Sequence, residues 1–348
     1  MEAKNTPKVR ATLEDVAQHA QVSLATADRV LNKRPGVRAA TVARVNEAVR
    51  RLGYRPDPSA AKLARSRLRR VAFLLPAGAN RFVGLLSEQI AANVEWMRDQ
   101  RIDSEVLAVN VFNPGELAKA LLAQEGQRDA VMVMALDHPV VRSAIDQLTQ
   151  AGTVVITLVS DVPSSTRQHY VGIDNTAAGR TAATLVGRFV GRQPAKVAII
   201  LGSLSLRDHA ERYFGFNQVM AHEHPHLTVL PPLEGQDDAT RNEVLTKELF
   251  TAHPDLAAIY SVGAGNGGIS TALRTSGRAH NTVFVGHELT PASRTDLLDG
   301  TMDAVINQDA GHEIRSALRV ALAQWSQEPV IADQERIRID IYLKDNLP

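Results

Sequence analysis

The first seventy residues carry helical periodicity in short bursts. Leu13, Val16 and Ala17 form an apolar stripe, and Thr12 stands three residues before Asp15, a variant of the capping box. The stripe breaks at Gln21-Val22, and Ser23 is a good N-cap for a second helix over 24–31 that Asn32-Lys33-Arg34-Pro35-Gly36 ends. A third helix is predicted from about 39 to 52, with Val42, Val45, Val49 and Leu52 turned inward and Gly53 as its stop. The segment 54–66 has Asp57 as an N-cap and Pro58 at the first helical position. It allows barely two turns, too few to be stable alone, so it is expected to fold on gaining a partner.

From Val71 the pattern changes to short apolar runs alternating with amphipathic stretches of helix length. Strands are predicted over 71–75, 105–109, 130–134, 154–158, 197–201, 257–262, 282–286, 303–307 and 336–343. Repeated strand–helix alternation means parallel sheets covered on both faces. A stretch this long divides better into two similar lobes than into one, and a ligand cleft at the carboxyl ends of the strands is the default site.

Composition narrows the classes. The 348 residues are 44% hydrophobic and 22% charged, which excludes collagen-like and wholly disordered chains. Without cysteine there is no disulfide, thiolate nucleophile or Cys-ligated zinc. Met1-Glu2-Ala3-Lys4-Asn5 leads into no apolar signal core and no run of 18 apolar residues occurs, so a soluble cytoplasmic protein is expected. The net charge of +1 hides an asymmetry: residues 1–70 hold 16 Lys/Arg against 6 Asp/Glu, and the remainder holds 23 against 32. A basic head on an acidic body suits a polyanion partner for the head; a solvated basic tail is the alternative on charge alone.

Two short helices joined by a tight turn, followed by a third, make a helix-turn-helix domain, in which the start of the second helix enters the major groove. Leu24, Ala25 and Arg29 are then the candidates to read bases: the guanidinium can bind guanine O6 and N7 together, and the apolar side chains can pack on thymine methyls. Ser23, Thr26 and Lys33 are placed near phosphates. A three-helix protein-interaction module is the competing reading of the motif by itself.

The runs Thr12-Leu13-Glu14-Asp15-Val16-Ala17, then Val22-Ser23-Leu24-Ala25-Thr26-Ala27-Asp28-Arg29-Val30-Leu31-Asn32, then Gly53-Tyr54-Arg55-Pro56 closely resemble the DNA-binding head of LacI/GalR-family regulators. The resemblance implies hinge helices that pair in the minor groove, with a wedging leucine that by position is Leu63, and it adds Tyr54 and Ala60 to the expected DNA contacts. Three positions depart from the family. Asp28 stands for a usual serine near phosphate, Asp57 for a hinge asparagine, and Arg38 for a capping serine. The two aspartates weaken binding to a polyanion unless a cation such as Arg38 compensates.

The body is similar to the two-lobed periplasmic-binding-protein fold of the same family's cores. The matching elements are Val159-Ser160-Asp161, Val171-Gly172-Ile173-Asp174-Asn175, Arg212-Tyr213-Phe214-Gly215-Phe216, Val285-Gly286-His287-Glu288 and Ile306-Asn307-Gln308-Asp309. In related sugar-responsive regulators the positions of Asp161, Arg212, Glu288 and Gln308 bind the effector; carboxylates accept from vicinal hydroxyls, and a guanidinium or amide donates. Where sugar binders often place an aromatic platform or an Asn-Asp pair, this chain has Glu234-Gly235-Gln236-Asp237 and a glycine-rich loop. Asp237 and Asn266 are therefore further ligand candidates. The carboxylates favour a sugar, polyol or amino-bearing analogue over an anion.

Gly263-x-Gly265-x-x-Gly268 matches a dinucleotide fingerprint, with Glu288 twenty residues on, and keeps a nicotinamide-sensing regulator or a dehydrogenase-like enzyme as alternatives. Against them, the dinucleotide fold carries this motif on its first strand, whereas here it lies near the end of the chain. His222, His224 and His226 lack a further ligand and are read as a solvated helix end, not a metal site. His287 beside Glu288 has no accompanying nucleophile motif, so no enzyme is expected.

The expected organisation is a small all-α helix-turn-helix domain over 1–56, a hinge helix and linker over 57–69, and an α/β two-lobed core with parallel sheets, type I periplasmic-binding-protein-like, over 70–348. The expected function is a transcriptional regulator, by preference a repressor, that binds a near-palindromic double-stranded operator as a homodimer. Its effector is a small carbohydrate-like molecule, with no cofactor, metal or membrane partner. A solute-binding protein would share the body but has no use for residues 10–66.

Overall fold

The computed structural model describes residues 11–31, 35–54, 67–78 and 81–348. The chain separates into two compact units, Met1–Arg67 and Leu68–Pro348.

The first unit holds α1 (Leu13–His19), α2 (Leu24–Leu31) and α3 (Ala39–Leu52). Thr12 and Asp15 form a reciprocal capping box at the start of α1. Gly53 closes α3 in the left-handed conformation at φ +62°, which a glycine adopts without steric cost. Val16, Ala20, Val30, Val45 and Ala48 make the small core, bordered by Val22, Val42, Val49, Leu52 and Tyr54.

The second unit contains two sheets. The first has β1 (Arg69–Pro76), β2 (Ile102–Val109), β3 (Ala130–Val133), β4 (Val154–Leu158) and β5 (His169–Val171), all parallel in the order β2-β1-β3-β4-β5. Alternate residues of β1 serve opposite faces. Val71, Phe73 and Leu75 pack with Phe82, Leu86 and Ile90 of α4 (Arg81–Ala92). Ala72 and Leu74 pack with Leu117 and Leu121 of α6 (Pro114–Leu122) and with Val141, Ile145 and Leu148 of α7 (Pro139–Gln150). Between them α5 spans Val94–Asp99.

The second sheet is built from β6 (Ala195–Leu201), β7 (Leu227–Val229), β8 (Leu233–Glu234), β9 (Leu256–Ser261), β10 (Val283–His287), β11 (Ala304–Asn307) and β12 (Asp340–Tyr342). Its order is β12-β11-β10-β9-β6-β7, with β8 also on β6 and β12 the antiparallel edge. One face is covered by α8 (Asn175–Val190) and α9 (Arg207–Glu223), the other by α10 (Ala239–Ala252) and α11 (Asn266–Thr275), with α12 (Pro291–Leu298) beyond. The α8–α9 contact is backbone-close because of two glycines. A methyl at Gly179 would lie 1.9 Å from the backbone oxygen of Arg212, and one at Gly215 would lie 2.1 Å from that of Thr176.

The chain passes between the sheets three times. After β5 it enters α8, which packs on β9, β10 and β11. After β11 it returns as α13 (Ala310–Ser326), which packs on α4, β4 and β5 of the first sheet. It crosses again through α14 (Ala332–Glu335), whose Glu335 accepts from Ser316 Oγ at 2.6 Å and Arg319 Nε at 2.9 Å, before β12 rejoins the second sheet. The strand expected over 336–343 is thus only Asp340–Tyr342. Arg336-Ile337-Arg338-Ile339 alternates as a strand would, but pairing with β11 begins at Asp340, and the alternation serves only to bury Ile337. Strands β5, β7 and β8, each of two or three residues, were too short for an apolar run to announce. No helix among the described residues is long and apolar enough to cross a membrane.

Candidate functional site

In the first unit, α2 buries Ala27 and Val30 and leaves Ser23, Leu24, Ala25 and Arg29 exposed. An exposed leucine at a helix start, 45% accessible and beside an arginine, is a face free to enter a groove. Ser23 Oγ accepts from the Thr26 amide at 3.2 Å and bonds its hydroxyl at 2.8 Å, so these two side chains cap the helix. Asp28 and Arg38 line one shallow groove with Thr26 and Arg29, which puts the acidic departure and its expected compensating cation on the same surface. Tyr54 is half-buried and its amide donates to the Val49 carbonyl at 3.0 Å. Lys33, Ala60, Leu63 and Asp57 lie outside the described residues.

In the second unit a cleft of about 570 Å³ lies at the carboxyl ends of both sheets. Its walls are the loops after β1 (Pro76 to Gly78), β2 (Val111, Phe112) and β3 (Met134) from one lobe. From the other come the loops after β8 (Gln236, Asp237), β9 (Ala264 to Gly267) and β10 (His287, Glu288). The strand order reverses between β1 and β3 in the first sheet and between β6 and β9 in the second, and the cleft faces both reversals, the position at which open α/β sheets bind ligands. Three side-chain-bearing wall residues sit in the left-handed region: Gln236 at φ +55°, Asp237 at +57° and Glu288 at +70°. Such strain collects where a side chain must be aimed at a ligand.

Two polar residues that line the cleft, Asn266 and Glu288, and two buried residues outside its lining, Gln308 and Arg212, are bonded on one side and unpartnered on the other. Gln308 Nε2 donates to Glu288 Oε1 at 2.7 Å, which leaves Glu288 Oε2 and Gln308 Oε1 without partners. Asn266 Nδ2 donates to the His287 carbonyl at 2.8 Å, leaving its Oδ1. Arg212 donates through Nε to Asn175 at 2.8 Å and through Nη1 to the Val262 carbonyl at 2.9 Å, and its Nη2 has no partner. Arg212 is aligned from behind: Asn175 Nδ2 donates to the Tyr170 hydroxyl at 3.1 Å, and that hydroxyl donates to the Val159 carbonyl at 2.9 Å. Buried polar atoms are normally satisfied, so this set points to a ligand that completes it.

Burial pushes the Glu288 carboxyl up to about 7 despite the nearby Arg212 guanidinium and the Gln308 hydrogen bond. Burial holds the His287 imidazole well below its ordinary value, with Arg212 adding to the effect; its Nε2 is 2.8 Å from the Tyr260 hydroxyl. Burial and then the charge of Glu288 raise Glu313, in the first turn of α13, well above the carboxylate range.

Of the residues expected to bind effector, the structure bonds Gln308 to Glu288, ties Asn266 to the adjacent His287 carbonyl, sets Arg212 near enough for its charge to act on Glu288, and brings Asp237 to the cleft wall with Oδ1 accepting from the Ala264 amide at 2.9 Å. Asp161 is held apart. It accepts from Thr157 Oγ1 and the Val162 amide at 2.7 Å and pairs with Arg167 through two guanidinium nitrogens. Asp208, His209 and Glu313 escaped the sequence reading. The first two share a helical face with Arg212 and Gly215, so polar residues interrupting a buried stripe were the available signal. The glycine loop follows β9 and opens α11, yet Asp237 already occupies the Ala264 amide. A carboxylate there is the wrong neighbour for a pyrophosphate. His226 bonds the Gly191 carbonyl at 2.8 Å, and His224 packs against Gly187.

Residues 12–57 match the model of bacterial regulatory proteins of the lacI family, and residues 71–329 match that of the periplasmic binding protein domain. The chain belongs to the lacI family. Catabolite control protein A of Priestia megaterium is 28% identical over 218 residues, 60% of each chain. The ribose import binding protein of Salmonella typhimurium is 29% identical over 180 residues, 51% of this chain and 59% of its own. The lacI-family chain thus spans about three fifths of these relatives' length. Among solved structures, a glucose-galactose binding protein from Geobacillus stearothermophilus superposes with a TM-score of 0.73 at 21% identity, covering 81% of this chain and all of its own. A solute-binding protein from Burkholderia graminis in complex with D-arabinose gives 0.73 at 22%, covering 80% and 96%. At such identities these two establish the fold of the lacI-family core.

Proposed function

We propose that this lacI-family chain is a sequence-specific DNA-binding transcriptional regulator, acting as a homodimeric repressor, whose operator affinity is set by a small polyhydroxylated effector bound in the cleft between the core lobes. Arg29, Leu24 and Ala25 read bases; Ser23, Thr26, Lys33 and Tyr54 hold the head on the duplex. Ala60 and Leu63 engage the minor groove. Arg212, Asn266, Glu288 and Gln308 bind the effector, with Asp237 at the rim.

The observation that carries the effector half is the set of buried polar atoms left without partners at the strand ends: Arg212 Nη2, Asn266 Oδ1, Glu288 Oε2 and Gln308 Oε1. A vicinal diol offers each of them a complement, since every hydroxyl both donates and accepts. The sugar-named relatives support the same class. Lobe closure on the effector changes the separation of the two segments leading to the heads, and a coupling of about 1–3 kcal/mol alters operator affinity roughly 5–150-fold.

The test is selection of duplexes from a random pool by the full-length protein, followed by mobility shifts of the retained site with and without sugars. A site with two symmetric half-sites, whose binding a sugar modulates, is expected. Retention of no common sequence, with or without sugars, refutes the regulator reading.

A further inference from the structure

We propose that the effector carries a protonated amine on its polyhydroxylated frame and that Glu288 receives the ammonium. This rests on the cleft being the effector site. Glu288 is 7% exposed, lines the cleft, and presents Oε2 with no protein partner.

The first argument is a count of hydrogen-bonding capacity. Glu288 Oε2 and Asn266 Oδ1, on residues that line the cleft, are buried acceptors without a donor, and so are Gln308 Oε1 and Asp208 Oδ1 on buried residues outside the lining. Against them stand Arg212 Nη2 and the ring nitrogen Nδ1 of His287, also unpartnered, which carries one proton at most. A hydroxyl supplies one donor and brings acceptor lone pairs that themselves ask for donors. An ammonium supplies three donors and asks for none, so it relieves an acceptor-rich wall where further hydroxyls only partly do.

The second argument is charge. Asp208 and Glu288 are more than nine-tenths buried, burial favours the uncharged form of Glu313 beside them, and among the described lysines and arginines Arg212 alone is buried. These four groups act on one another: Arg212 and Asp208 both perturb Glu288, and Glu288, Arg212 and Asp208 perturb Glu313. His287, kept uncharged by burial, adds no cation. Asp237 and Asp238 extend the negative lining to the rim, where Arg81 stands 3.3 Å from Glu88. A ligand cation inside this wall supplies the missing positive charge, whereas a phosphorylated sugar adds to an existing excess. The carboxyl of Glu288, raised to about 7, has the poise of a group awaiting a positive neighbour.

Matched pairs test this on the full-length protein by calorimetric titration near pH 7.5: D-glucosamine against D-glucose, D-galactosamine against D-galactose, and 1-amino-1-deoxysorbitol against sorbitol, with glucose 6-phosphate as the anionic probe. At least one amine should bind about tenfold or more tightly than its hydroxyl counterpart, in keeping with a charge-assisted bond. Glu288→Gln should abolish the preference for that amine over its counterpart, while an unchanged circular dichroism spectrum and retained operator selection report that the variant is folded. A hydroxyl compound or the phosphate binding as tightly as the amine, or an amine preference that survives Glu288→Gln, overturns the ammonium on Glu288 and leaves the cleft as the effector site. Absence of saturable binding by every probe, in protein that still selects an operator, overturns the polyhydroxylated-effector reading and this inference with it.

Discussion

Glu288 makes a quantitative demand on stability. Its carboxyl rises from 4.5 to about 7 on folding, chiefly by burial. The folded protein therefore keeps a proton that the unfolded chain has shed. The sign follows: the contribution is full below 4.5, falls as pH rises between the two values, and is gone above about 7. At 1.36 kcal/mol per unit, that span corresponds to about 3 kcal/mol. Glu288→Gln keeps the shape and the bond partner Gln308 but cannot ionise, so it should stabilise the protein by about 3 kcal/mol more at pH 8 than at pH 4.5. Urea unfolding followed by the fluorescence of Trp96 and Trp325, both in the core unit, measures the difference. Arg212, Asp208 and His287 are common to both proteins; Glu313, whose carboxyl the charge of Glu288 helps to raise, is relieved in the variant, which adds stabilisation of the same sign at high pH. Equal effects of the substitution at the two pH values would refute the placement of this carboxyl in an under-compensated, buried wall.

Other perturbations probe separate parts of the molecule. Gly215→Ala puts a methyl 2.1 Å from the Thr176 carbonyl oxygen and should cost about 1–3 kcal/mol or more, seen as a lowered melting temperature, because backbone cannot yield as a side chain can. Asn175→Ala removes the acceptor of Arg212 Nε and should weaken effector binding about tenfold while leaving effector-free operator binding intact; titration and mobility shift read the two separately. Arg29→Ala should remove about 1–3 kcal/mol of discrimination at one base pair per half-site without changing sugar affinity, as measured by competition with a mutated duplex.

The head was legible almost to the residue. Its second and third helices begin and end where Ser23, Leu31, Ala39 and Gly53 announce, because caps and stops are local chemistry. The interior strands were equally plain, since 71–75 and 130–133 are unbroken apolar runs buried on both faces. Short edge strands left no such trace, and the alternation over 336–339 imitated a strand that found no neighbour. At the candidate site, Arg212, Glu288 and Gln308 were placed by resemblance; Gln308 is bonded to Glu288, and Arg212 meets Glu288 through its charge. Asp161 followed the same logic, yet Arg167 six residues later takes its carboxylate, a competition that depends on loop geometry. Glu313 was invisible because a glutamate in the first turn of a helix reads as an ordinary partner of the helix dipole.

The three crossings have a consequence for synthesis of the protein. As the chain emerges from the ribosome, β1 to β5 are complete long before α13, the helix that covers β4 and β5, has been translated. The first lobe thus waits, one face partly bare, until more than a hundred further residues of the second lobe have been made. A chain ended anywhere before Ala310 lacks the helix that covers β4 and β5, so the first lobe cannot be obtained whole by a single cut. Separating them for study would require joining 68–171 to 310–326 by a new linker.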